Sequence, residues 1–108
     1  MTFKTARSAL IEALREGCFQ HEAREAQEEK NLLAVGDLTA EEVIEILKAC
    51  AGRHYRKEPH HILSSVEVHV FKGKKGIRAW KQWFIRAYFL EEDAWFISVH
   101  PAEWEIGK

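Results

Sequence analysis

Apolar and polar positions change their period part-way along the chain. Across residues 5–16, Ala6, Ala9, Leu10, Ala13 and Leu14 recur at the spacing of one helix face, and Gly17 stands where a helix would end. Residues 21–30 are rich in Glu, Ala, Gln and Arg but lack an apolar stripe, which predicts a solvated helix; residues 31–37, with Gly36, break it. Thr39 followed by Glu42 predicts a capping box, with Leu38 placed as a staple and Glu41 and Glu42 in the first turn, where the helix dipole favours negative charge. Val43, Ile46, Leu47 and Cys50 then define one face, and Gly52 stops the helix.

Beyond Gly52 the period becomes two. Val66, Val68 and Val70 alternate with Glu67, His69 and Phe71, which predicts a strand with its valines inward. Residues 72–76, Lys-Gly-Lys-Lys-Gly, read as a turn. Residues 82–90 predict a strand with Trp83, Ile85, Ala87 and Phe89 on one face and Phe84, Arg86 and Tyr88 on the other. Glu91-Glu-Asp is a tight acidic turn, and residues 94–100 form the last strand. There Trp95, Ile97 and Val99 point inward, Phe96, Ser98 and His100 outward, and Pro101 ends the run. The predicted fold is α+β in a single domain over residues 1–108. Its N-terminal helices (5–52) pack on a three- to four-stranded antiparallel sheet (53–100).

Composition agrees with a globular domain: 108 residues, 46% hydrophobic and 31% charged. No apolar run approaches the roughly 20 residues that would cross a bilayer. Residues 1–7 carry no apolar signal-peptide core. Two cysteines, Cys18 and Cys50, make neither a disulfide framework nor a four-thiolate zinc site, so a reduced cytoplasmic protein is expected. Cys50, on an apolar helix face, reads as a core residue.

Charge changes the picture more than composition does. The net charge of −1 conceals a basic middle: residues 53–90 hold nine Lys or Arg against two Glu, whereas residues 1–52 hold six against ten acids and residues 91–108 one against five. Four of the six histidines and seven of the twelve aromatic residues fall in the same middle stretch. A basic, aromatic-rich segment suits a phosphodiester backbone; acidic helices that cover basic strands would account for the same numbers.

If the three strands neighbour one another, their outward face displays Glu67, His69, Arg86, Tyr88, Ser98 and His100. Imidazoles, a guanidinium and a phenol are the groups that metal-free RNA cleavage requires: a base for the ribose 2′-OH, an acid for the leaving 5′-oxygen and cations for the phosphate. His69, Arg86, Tyr88 and His100 are therefore the catalytic candidates. Arg56, Lys57, Lys74, Lys75, Arg78 and Lys81 are the candidates for RNA contact, with Tyr55 placed either to stack on a base or to anchor its loop. Plain surface polarity on a half-solvated sheet accounts for each of them singly. His54, His60 and His61 precede the sheet, but neither a zincin helix pattern nor a Cys/His zinc spacing accompanies them, so no metal and no cofactor is expected. His21 is read as a surface histidine. The absence of a Gly-rich phosphate loop and of a dinucleotide fingerprint disfavours nucleotide-dependent enzymes. The competing reading is a non-enzymatic protein-interaction module with Trp80, Phe84 and Phe96 as an exposed aromatic patch.

Three segments carry a resemblance: Leu38-Thr-Ala-Glu-Glu-Val-Ile, Trp83-Phe-Ile-Arg-Ala-Tyr-Phe and Trp95-Phe-Ile-Ser-Val-His. Over roughly residues 38–100 the chain resembles the RelE-like superfamily of toxins from bacterial toxin–antitoxin modules, and within it the motility quorum-sensing regulator toxin branch. The resemblance implies an mRNA endonuclease, ribosome-dependent or independent, neutralised by an antitoxin encoded beside it. It also implies functional Lys, Arg, Gln, Tyr or His residues on the sheet face. Arg86 and Tyr88 match that kind of position, and His100 stands near the C-terminal end where such folds place a catalytic residue. The chain departs from these toxins in its net charge and shows no strand ahead of its helices.

Overall fold

The structure is a computed structural model that describes residues 2–21, 33, 36, 38–60, 62–77, 80–91 and 94–102. Helix α1 (Phe3–Glu16) starts two residues earlier than its apolar stripe suggests, because the Thr2 hydroxyl accepts a 3.2 Å hydrogen bond from the Thr5 amide. It ends as expected at Gly17, whose φ of 74° needs a residue without a Cβ, and the Cys18 amide closes the cap on the Ala13 carbonyl at 2.9 Å. Helix α2 (Ala40–Lys48) has the complete capping box. The Glu42 amide donates to the Thr39 hydroxyl at 3.2 Å, and the Thr39 amide donates to the Glu42 carboxylate at 2.9 Å. Leu38 and Val43 both reach the core. Arg7 Nη1 ties the helices together by donating to the Cys50 carbonyl at 3.1 Å. Cys50 is buried, and burial raises its thiol pKa, as suits a core side chain.

The sheet departs from the expected antiparallel meander. The described residues form five strands: β1 (Phe19–His21), β2 (Tyr55–Pro59), β3 (Glu67–Gly73), β4 (Trp83–Glu91) and β5 (Ala94–Pro101). Their order is β1-β5-β4-β3-β2, with β1 parallel to β5 and the remaining pairs antiparallel. His21 thus belongs to a strand and does not open a helix; the solvated helix expected over residues 21–30 otherwise lies outside the described residues. At three residues, β1 is too short to show a period. Strand β2 occupies an edge and carries Arg, Lys, Glu and Pro, which protect an edge from further pairing but hide it from a hydrophobic pattern. Lys72 and Gly73 continue β3 instead of turning, and Pro101 pairs with Trp83 inside β5. None of the described helices is long and apolar enough to cross a membrane.

Strands β4 and β5 have the predicted phase: Trp83, Ile85, Ala87, Trp95, Ile97 and Val99 lie in the core with Leu10, Leu14, Val43, Ile46 and Leu47 of the helices. Strand β3 has the opposite one. Phe71 pairs with Ile85, His69 with Ala87 and Gly73 with Trp83, so these three face the helices. Val68 and Val70 pair with Tyr88 and Arg86 on the outer face. Both valines are nonetheless buried, at 7% and 1% exposure. A strand covered on both sides gives no clean in–out alternation, and the deciding features are size and shape. Phe71 fills the space beside the Phe3 and Tyr55 rings, at centroid distances of 6.3 and 5.0 Å. Gly73 lets α2 settle on the sheet: a Cβ there would run into Ile46 Cγ2 and stand 3.1 Å from the Ile46 carbonyl oxygen. Gly73→Ala should therefore lower the unfolding free energy by about 1–3 kcal/mol in urea titrations; an unchanged midpoint and slope would show that α2 can lift without cost.

Candidate functional site

Residues paired directly across neighbouring strands share a face, so the register lays out the outer surface in rows. One row reads Gln20, Phe96, Tyr88, Val68 and Glu58 from β1 to β2. The next reads Ser98, Arg86, Val70 and Arg56, and the third His100, Phe84 and Lys72. Aromatic rings pair within these rows. Tyr88 stacks on Phe96 with centroids 5.2 Å apart and planes 9° apart, and Phe84 stacks on His100 at 5.9 Å and 29°. Arg56 and Lys72 each place their charge 5.9 Å from the Phe84 centroid. His60 lies edge-on to Tyr88 at 4.7 Å, while its Nδ1 accepts from the amides of Ile62 and Leu63, both at 3.1 Å. That imidazole caps its loop through Nδ1.

Charge on this face is uneven. Glu58 accepts from Arg56 Nε at 3.3 Å and from Arg86 Nη2, reaching across β3 over the short side chains of Val68 and Val70. At the other end, no described carboxylate pairs with Arg53, Lys72 or Lys74. Desolvation, followed by the cations of Lys74, Arg53 and Lys72, holds the His54 imidazole below the usual histidine value. The face thus runs from an end whose cations no described carboxylate pairs to a partly compensated Arg–Glu–Arg group.

His69 does not belong to it. Its place is the helix-facing side, where Nδ1 shares a 2.7 Å hydrogen bond with the Tyr55 hydroxyl and the ring meets Trp95 at 5.7 Å. Lys57 shares that side and pairs with Glu67 at 3.6 Å. The expected convergence of His69 with Arg86, Tyr88 and His100 is therefore corrected. The sheet separates His69 from the other three, because the phase of β3 is set by Phe71 and Gly73, and no phosphate can touch both histidines. Tyr55 is an anchor in this arrangement, stacked against His69 and tilted against Phe3.

The basic candidates scatter more widely than expected. Arg56 is on the outer face and Lys57 on the opposite one. Lys74 and Lys75 are exposed beyond the end of β3, with Lys75 3.7 Å from Glu45 of α2; Lys81 is exposed before β4. Arg78 and His61 lie outside the described residues. Trp80 is partly buried against the core, so it is not part of an exposed patch with Phe84 and Phe96. Among the described residues no group of three His, Cys, Asp or Glu side chains converges for a metal. Sequence reasoning passed over Glu58, Lys72 and Arg53, although the Arg56–Glu58 spacing of two within an extended run was a signal that both share a face.

No protein-family model, curated protein or solved structure matches this chain. What the face can do follows from its own groups: rings to contact bases, cations to contact phosphates, and an imidazole and a phenol to move protons.

His69 has a thermodynamic consequence instead of a catalytic one. Desolvation lowers its pKa below the ordinary value of 6.5, against an opposing pull from Glu67. The folded protein then binds this proton more weakly than the unfolded chain. The stabilisation is complete above pH 6.5 and is lost as the pH falls through the folded-state value. Urea unfolding between about pH 7.5 and 5 should show the wild type losing more stability than His69→Gln. Parallel losses would clear His69 of the effect.

Proposed function

We propose that the outer face of the sheet binds single-stranded RNA and cleaves it without a metal, which would make the protein an mRNA endonuclease of the RelE-like toxin type, acting in the cytoplasm. The observation that carries this reading is the shared phase of His100, Phe84, Lys72, Arg86, Tyr88 and Arg56 on one side of β2–β5. Arg86 stands between the other two reactive groups. Tyr88 is two positions away along β4, and His100 is a diagonal neighbour on β5, each with its Cα about 7 Å from that of Arg86. A phosphate held by Arg86 would have the imidazole of His100, buried at 8% exposure, on one side and the phenol of Tyr88 on the other. His100 takes the 2′-OH proton, and the 2′-oxygen attacks phosphorus. Tyr88 protonates the departing 5′-oxygen, leaving a 2′,3′-cyclic phosphate. Histidine suits the base role because its ordinary pKa lies near working pH. Stacking of His100 on Phe84 orients the ring, and the cations of Arg53, Lys72 and Lys74 offer contacts to a neighbouring phosphate.

A ribosome or an antitoxin would meet the protein on the same face. The competing reading, a protein-docking module, is favoured by one observation: Ile62 and Leu63 are 73% and 43% exposed on a loop that His60 holds in place.

Purified protein should cut single-stranded RNA in the presence of EDTA, and expression should arrest bacterial growth. His100→Ala should lower the cleavage rate by about 10²-fold or more, whereas folded His69→Gln, altered on the other side of the sheet, should cleave at the wild-type rate. Cleavage indifferent to His100 would remove it from the chemistry, and RNA binding that does not weaken with salt would favour the docking module.

A further inference from the structure

We infer that Glu58 is a built-in competitor for the RNA phosphate, an internal carboxylate that occupies the anion site formed by Arg56 and Arg86 until substrate displaces it. The inference rests on the reading of this face as RNA-binding and adds the element that regulates it. Two guanidinium groups from strands β2 and β4, with β3 between them, converge on one carboxylate. Their convergence depends on the floor beneath them. Val68 and Val70 are short and apolar, offer no hydrogen bond, and leave Glu58 and Arg86 free to meet above them. One donor from each guanidinium reaches a different oxygen of the carboxylate, a pattern that the paired oxygens of a phosphodiester also match.

The pair can open. The side chains of Glu58 and Arg86 retain 29% and 27% of their exposure, so separating them does not strand a buried charge. Glu58 has the phase of Arg56 and Arg86 on this face, whereas Glu67 points to the helix side with His69. Arg53, Lys72 and Lys74 need no such release, because no described carboxylate pairs with them. RNA therefore engages the open cationic end first and reaches Arg86 only by exchanging one anion for another.

Two variants separate competition from a structural clamp. Glu58→Gln keeps the shape and removes the charge. Glu58→Asp keeps the charge, but it is one methylene shorter and falls short of Arg86 across β3. The probe is a fluorescent 2′-O-methyl oligouridylate of about 12 nucleotides, within the range that single-strand sites occupy and resistant to cleavage through the 2′-oxygen. Both variants should bind it about tenfold more tightly than wild type, the equivalent of one charge-assisted contact. The plot of log affinity against log salt should steepen by about 0.7 for the added phosphate. Adding Arg86→Gln to either variant should abolish the gain. Equal or weaker binding by folded Glu58→Gln and Glu58→Asp, with wild type binding well, would make Glu58 a clamp and overturn the inference while leaving the RNA reading intact. Binding by the variants alone would establish the competition most directly. No binding by any form would sink both.

Discussion

Strand β3 is held from both sides, and the rest of the molecule depends on that constraint. On the helix side Phe71 packs beside Phe3 and Tyr55, and Gly73 leaves room for Ile46 of α2. These two positions share a phase, so they decide which way every other side chain of the strand points. Val68 and Val70 are sent outward to floor the cationic face, and His69 is sent inward to Tyr55 and Trp95. A slip of one residue would put a valine where Phe71 sits and a Lys72 side chain against Ile46. The register is thus specified by volume more than by polarity.

The outer face has its own internal logic. Its rings stand in cross-strand pairs, Tyr88 with Phe96 and Phe84 with His100, which fixes their orientation before any ligand arrives. Its charge is divided between cations that the described carboxylates leave unpaired and an Arg–Glu–Arg group in which one carboxylate offsets part of the charge of two guanidinium groups. Cross-strand ion pairs and ring pairs of this kind also stabilise the sheet itself. The opposite face carries a Tyr–His hydrogen bond and a Lys–Glu pair, and its titrating group bears on stability.

Local chemistry announced several elements in advance. The Thr39–Glu42 capping box and the Gly17 cap are short-range devices whose hydrogen bonds close within five residues, so the sequence and the structure agree on them. Strands β4 and β5 were legible because one side is apolar throughout and the other is mixed. Strand β2 was not, because an edge strand is defended with charge and proline. Strand β1 escaped because three residues carry no period. Of the four catalytic candidates, Arg86, Tyr88 and His100 share a face and His69 does not.

By itself the sequence determined the Gly17 end of α1, the capped start of α2, the α+β class and the inward faces of β4 and β5, because caps and one-sided apolar stripes act through neighbours in the chain. Only the tertiary structure decided the phase of β3, the parallel pairing of β1 with β5 and the meeting of Glu58 with Arg86. Each of these depends on contacts between segments distant in sequence. When a strand is buried on both faces, hydrophobicity no longer distinguishes them, and the choice passes to the shape of what packs against it.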